Sequence, residues 1–152
     1  MSNPTHVNHV LQIERTFPAS CEQVFQAWTD PTKLKRWFGP EGFSTLVAEV
    51  DLRVGGKYLL GMQSADGQMN YITGIYREIQ PPTKLVFSWQ WAEEFDASRD
   101  DVMLVKIEFV SRGKNTQVIL THEQLPSETS KEQHEAGWIG CFNGLEKLFN
   151  EG

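Results

Sequence analysis

The apolar stripe at the end of the chain constrains the architecture more than any other feature. Trp138, Cys141, Phe142, Leu145, Leu148 and Phe149 recur at i, i+3, i+4 and i+7 spacing, the period of one helix face. The spacing predicts a helix from Ser130 to Phe149, about 30 Å long at 1.5 Å per residue. Thr129 with Glu132, and Ser130 with Gln133, both match a capping box at its start. A stripe of this length must lie on an apolar surface of comparable length. What precedes it reads mostly as strands, so the stripe is predicted to cover a sheet.

The first strand runs from His9 to Phe17, with Leu11, Ile13, Arg15 and Phe17 on one face and Val10, Gln12, Glu14 and Thr16 on the other. Pro18-Ala19-Ser20 ends it. Ser20 with Gln23 forms a capping box, and Cys21, Val24, Phe25 and Trp28 follow at helical spacing. Asp30-Pro31 starts a second short helix, edged by Leu34, Trp37 and Phe38 and stopped by Gly39-Pro40. Six further strands are predicted at Ser44–Asp51, Lys57–Gln63, Met69–Ile79, Leu85–Trp91, Val102–Ser111 and Thr116–Glu123. Short turns join them, which implies a mostly antiparallel meander. Asp66-Gly67 reads as a type I′ hairpin turn, with positive φ at both residues. The predicted fold is α+β: a curved seven-stranded antiparallel sheet gripping one long helix, with two short helices after the first strand. A curved sheet and a straight helix need not meet along their whole length, so a cavity between them is a natural ligand site.

The 152 residues amount to one domain, expected over 9–152 with a loose N-terminus at 1–8. A chain of this length buries about 70% of its unfolded surface and needs no disulfide or metal to hold a core. Fourteen basic against twenty acidic residues give a net charge of −6, which disfavours a nucleic-acid partner. No uncharged stretch is long enough for a membrane span. Met1 to His9 has neither a basic n-region nor an apolar h-region, so a cytoplasmic location is expected. Cys21 and Cys141 match no metal or redox spacing and read as free thiols. The loop from Glu93 to Asp101 carries five acids and one Arg, and reads as a solvated loop or as a mouth that disfavours anionic ligands.

Seventeen aromatic residues are many for a core of this size. Trp89 and Trp91 share strand parity with Leu85 and Phe87. Trp37, Phe38, Trp138 and Phe142 lie on helices that should meet the sheet. Aromatics arriving from both sides can act as spacers, and the pocket they would wall is expected to hold a small hydrophobic molecule. Met62, Tyr71 and His122 are placed nearby, with Met69 as a further adaptable wall. His122 has the parity of Val118 and Leu120 and is expected to point inward. Ile139 should point outward. Arg15 also has inward parity and calls for a carboxylate, with Glu49, Asp51, Glu108 and Glu123 available on other strands. His6 and His9 sit in the loose N-terminus, and His134 has no second His at i+4, so no metal site is expected. No nucleophile motif or phosphate-binding glycine loop is present; no catalytic residue and no cofactor are assigned.

Phe17-Pro18-Ala19-Ser20, Val24 to Pro31 and Leu34 to Pro40 together resemble the heat-shock-protein ATPase activator-like (AHSA-type) family of the START-like, or SRPBCC, superfamily. Asp51 to Gly56, Gly74 with Glu78 before Pro81-Pro82, Thr121-His122-Glu123 and Gly137-Trp138 extend the likeness over residues 10 to 149. The resemblance implies a START-like, Bet v-like helix-grip fold. Its implications for function are broader, because the superfamily hosts lipid carriers, hormone receptors, aromatase/cyclases and co-chaperone domains. Three functions follow as expectations: non-enzymatic binding of a hydrophobic or aromatic ligand, an aromatase/cyclase-like enzyme using the same cavity with His122, Arg15 or a Tyr moving protons, and a module with a protein partner such as a chaperone.

Overall fold

The computed structural model describes residues 9–96, 98–99 and 102–150. The segment expected to be loose, 1–8 with His6, lies outside the described residues, as do Asp100 and Asp101 of the acidic loop. Strand β1 (His9–Phe17) is followed by helices α1 (Cys21–Thr29) and α2 (Pro31–Trp37). Then come β2 (Ser44–Val50), β3 (Lys57–Gln63), β4 (Met69–Gln80) and β5 (Lys84–Trp91). A single 3₁₀ turn (Ala92–Glu94) leads to β6 (Met103–Arg112), β7 (Asn115–Leu125) and the long helix α3 (Glu128–Asn150). None of the described helices is long and apolar enough to cross a membrane.

The seven strands form one antiparallel sheet in the order β1-β7-β6-β5-β4-β3-β2. β2 to β7 are a meander, while β1 pairs with β7, Ile13 opposite Leu120 and Phe17 opposite Thr116. β1 and β2 therefore lie at opposite edges, and α1 and α2 carry the chain between them. Register shifts in β1, β2 and β4 mark bulges, the local feature that bends strands into a curved sheet.

Local chemistry explains the two short helices. The Ser20 hydroxyl accepts the Gln23 N–H at 3.2 Å while the Gln23 side chain accepts the Ser20 N–H at 3.1 Å, a complete capping box. Asp30 caps α2 by accepting the Thr32 N–H at 2.9 Å, with Pro31 at the first helical position.

Three local expectations are corrected. The cap of α3 is Ser127, whose hydroxyl accepts the Ser130 N–H at 3.0 Å. The helix starts earlier than either capping-box pattern implied, because an ordinary N-cap hydroxyl stands just upstream of both. The Asp66-Gly67 hairpin is not a two-residue type I′ loop. A turn closes from the Gly67 N–H to the Ser64 carbonyl at 2.9 Å, and only Gly67 has a positive φ, 89°, which fits the three-residue hairpin class. Arg15 points inward as its parity requires, yet its partners are on α3: it donates to Asn143 Oδ1 at 2.8 Å and lies 3.5 Å from Glu146. The inner face of a covered sheet looks at the helix, so the ion pair crosses layers rather than strands.

The core lies between α3 and the inner sheet face. Phe17, Phe142, Leu120, Ile107 and Leu145 are almost fully buried there. One contact sets where α3 sits. A Cβ on Gly144 would lie 2.5 Å from the Trp37 carbonyl oxygen, and one on Gly140 would lie 2.6 Å from the Glu41 amide nitrogen. Only glycine permits that approach, so α3 rests directly on the backbone at the end of α2. The same contact brings Phe38 and Pro40 against the next turn of α3 toward its N-terminus.

Candidate functional site

A cavity of about 220 Å³ opens where α3, the α2–β2 connection and the inner faces of β3 to β5 meet. Met62, Ile72, Trp89 and Trp91 form the sheet wall, and Phe38 and Pro40 the connection wall. Helix α3 contributes Gln133, His134, Gly137, Trp138 and Cys141. These five positions fall on one helix face through i+3 and i+4 steps. Gly137 leaves that face recessed: a Cβ there would meet nothing nearer than Pro40 Cβ, at 4.0 Å.

Trp138 is the hub of the aromatic set. Its ring centroid lies 5.0 Å from that of Trp89, and 6.0 Å from those of Phe38 and Trp28. These separations suit tilted and edge-to-face packing, so the large rings hold α3 away from β5. The Trp138 indole N–H is not left unpaired. It donates to His122 Nδ1 at 3.0 Å.

That bond determines the state of His122. An Nδ1 that accepts carries no proton, so the neutral ring holds its proton on Nε2. His122 has 0% of its surface exposed, and its Nε2 has no partner among the described residues. Burial, with the neighbouring His134 imidazole second, lowers its pKa from 6.5 to about 3. It is a neutral core residue at any pH where the protein is used, and an inefficient general base. Cys141 borders the cavity, but burial pushes its thiol up to about 12, so no thiolate nucleophile is on offer.

His134 is the half-buried polar group of the wall, beside the exposed Gln133. Its ring meets the His122 ring edge to face at 4.8 Å between centroids, and its Nδ1 lies 2.8 Å from the Ser130 carbonyl oxygen. The described wall contains no carboxylate, Lys or Arg. A more polar hollow of about 280 Å³ adjoins it, sharing Trp89 and Trp91 and bordered by Gln90, Glu94, Arg99 and Gln124. The first part of the acidic loop, Glu93 to Asp96, leaves from Trp91 and so lies beside the mouth. The Lys57 ammonium sits 4.4 Å over the Phe95 ring and ties that loop to β3.

The structure brings Phe38, Met62, Trp89, Trp91 and Trp138 together at one wall. The other expected wall residues are placed elsewhere. Tyr71 is a correction: it stands 37% exposed on the outer sheet face, over Gly61, whose Cβ would lie 2.8 Å from its ring. Trp37 lies a layer behind the wall, donating its N–H to the Ala27 carbonyl at 2.7 Å and packing on Trp28 at 4.7 Å. Phe142 is also core, edge-on to Phe17 at 5.7 Å. His122 stands behind Trp138 rather than in the wall. The wall residues that sequence reasoning missed are His134, Gly137, Gln133, Cys141, Pro40 and Ile72. For His134, Gly137 and Cys141 a signal existed: each falls within about one turn of Trp138.

Comparison with known proteins follows the same outline. The sequence profile of the family described as Activator of Hsp90 ATPase homolog 1-like protein matches residues 18–150. Among solved structures, the AHSA1 protein of Silicibacter pomeroyi is similar at 28% identity, with a TM-score of 0.81 over 95% of this chain and 100% of that one. A protein of Chromobacterium violaceum is similar at 26% identity, with a TM-score of 0.81 over 93% of this chain and 97% of that one. The AHSA1-like protein of Aeromonas hydrophila reaches 26% identity and a TM-score of 0.74 over 91% and 90%. No curated protein sequence matches significantly.

Proposed function

Because the chain belongs to the Activator of Hsp90 ATPase homolog 1-like family of the START-like superfamily, in which a sheet grips a long helix, we propose that it binds a small, flat, apolar molecule between α3 and β3–β5. The observation that carries this reading is the apolar cavity of about 220 Å³ propped open by Trp138 against Trp89 and Phe38. A cavity of about 150 Å³ lined by aliphatic and aromatic side chains holds benzene, so this one suits one or two fused rings. Burying about 300 Å² of apolar ligand surface gains about 7 kcal/mol before association costs, which makes micromolar affinity the upper limit. Phe38, Met62, Trp89, Trp91 and Trp138 are the proposed contacts.

Binding is favoured over catalysis of the aromatase/cyclase kind. His122 is neutral and sealed behind Trp138, Cys141 is held as a thiol, and Arg15 is engaged by Asn143 and Glu146. Cys21 and Cys141 are free, which fits the reducing cytoplasm proposed as its location.

The test is calorimetry with 2-methylnaphthalene. The native protein should bind it with a micromolar Kd. Gly137→Leu should abolish binding while keeping the fold, since leucine fills the recess and is the better helix former. Ile139→Ala, on the exposed side of α3, should leave binding unchanged. No binding by the native protein, or equal binding by Gly137→Leu, refutes the reading. In the first case the protein-partner module takes its place.

A further inference from the structure

The hydrogen bonds around the cavity specify the polar chemistry of its occupant. His134 Nδ1 lies 2.8 Å from the Ser130 carbonyl oxygen, which can only accept, and 3.4 Å from the Ser130 hydroxyl; the shorter contact assigns the proton to Nδ1. In the neutral ring Nε2 is then bare and can only accept. It receives no hydrogen bond from any described residue, and the ring borders the cavity. The second imidazole cannot supply the missing donor. The proton of His122 is on Nε2, as the Trp138 N–H on Nδ1 requires, and no hydrogen bond joins the two rings although their centroids are 4.8 Å apart. The Trp138 indole N–H is spent on His122. Gln133 is exposed and can satisfy its amide with water. Apart from the solvent-exposed Gln133 amide, the described wall therefore presents one uncommitted side-chain acceptor among apolar surfaces.

We infer that the molecule taken by this cavity carries one hydrogen-bond donor on an otherwise apolar ring system, a phenol-type hydroxyl or a ring N–H, and that His134 Nε2 receives it. The inference rests on the proposal that the cavity binds an apolar molecule, and it adds the class of that molecule. A hydroxylated or N–H-bearing ring satisfies the acceptor. A hydrocarbon of the same shape leaves it unpaired after displacing the water that would serve it. A ring bearing only acceptors, such as an aryl ether, places one lone pair against another.

Three probes of nearly one shape separate these cases: 2-naphthol, 2-methylnaphthalene and 2-methoxynaphthalene, measured by calorimetry on the full chain. The native protein should bind 2-naphthol about tenfold more tightly than 2-methylnaphthalene, the usual worth of one net hydrogen bond. The ether should gain nothing over the hydrocarbon. His134→Phe should abolish the preference for 2-naphthol and leave 2-methylnaphthalene within about twofold of native. His134→Gln, whose amide oxygen can accept, should retain part of it. Equal affinity for 2-naphthol and 2-methylnaphthalene overturns the inference and leaves the apolar-site proposal standing. A preference for the ether shows that the wall donates, and a preference for 2-naphthol that survives His134→Phe shows that another group receives its hydroxyl; either overturns the inference. Failure of all three probes removes the site proposal and this inference together.

Discussion

His122 should make the protein acid-sensitive in a window where its carboxylates are still ionised. The ring is sealed in β7 between Leu11 of β1 and Val105 of β6, which are its register partners. His134 and Trp138 of α3 and Trp89 of β5 press on it. In the folded chain its pKa is about 3, against an ordinary value of 6.5. Unfolded chains take up a proton here as pH falls below 6.5, and folded ones do not until about 3. The stability from this neutral histidine is thus complete above about pH 6.5 and is lost as pH falls. From pH 7 to pH 5 the loss is about 2 kcal/mol, or about 4–8 °C in Tm for a chain of this length. The figure depends on the unfolded value and barely on the folded one, so long as the latter lies well under 5. Urea melts at pH 7 and pH 5 provide the assay, with His122→Asn as the reference. Its Oδ1 can take the place of Nδ1 as acceptor for the Trp138 N–H, and it does not titrate. Native protein should lose about 2 kcal/mol more than the variant between the two pH values. Equal losses would mean that His122 titrates as an exposed histidine does, and would refute the sealed, neutral ring on which the site's geometry depends.

Two further outcomes follow from the packing. The thiol reagent DTNB should count two thiols in denatured, unreduced protein, whereas in native protein buried Cys141 should react far more slowly than half-buried Cys21; a denatured count of zero would refute free thiols. Gly144→Ala should destabilise the fold by about 2 kcal/mol despite alanine's better helix propensity, because its Cβ meets the Trp37 carbonyl, while Gly137→Ala, with open space, should stabilise by about 0.5–1 kcal/mol. Urea melts of the pair check both, and equal shifts would remove the argument that α3 rests on α2 through glycine.

The strands and helices were legible because their signals are local. Alternation from His9 to Phe17 and caps at Ser20 and Asp30 depend on neighbours a few residues away. On its sheet side the wall was legible where a strand had a clear parity, as Trp89 and Trp91 do with Phe87, and on its helical side at Phe38 and Trp138. On β4 parity fails. Ile72, Thr73 and Gly74 are all buried, since the Thr73 hydroxyl bonds the Tyr58 carbonyl at 2.5 Å and a Cβ on Gly74 would strike the Ser88 carbonyl. Burial thus does not reveal which face Tyr71 takes. On α3 the apolar stripe reached the cavity only at Trp138 and Cys141. Its widest run, through Phe142 and Leu145, packs solidly on Phe17 and the sheet centre. The cavity lies one turn earlier, where His134 and Gly137 interrupt the stripe and Trp138 alone spans the gap. A stripe search favours positions that fill space, whereas a cavity between two layers needs a residue that withholds a side chain beside one that is too large to close the gap. Gly137 next to Trp138 is that pair, and an acceptor one turn away, at His134, is what would turn the gap from a packing defect into a selective site.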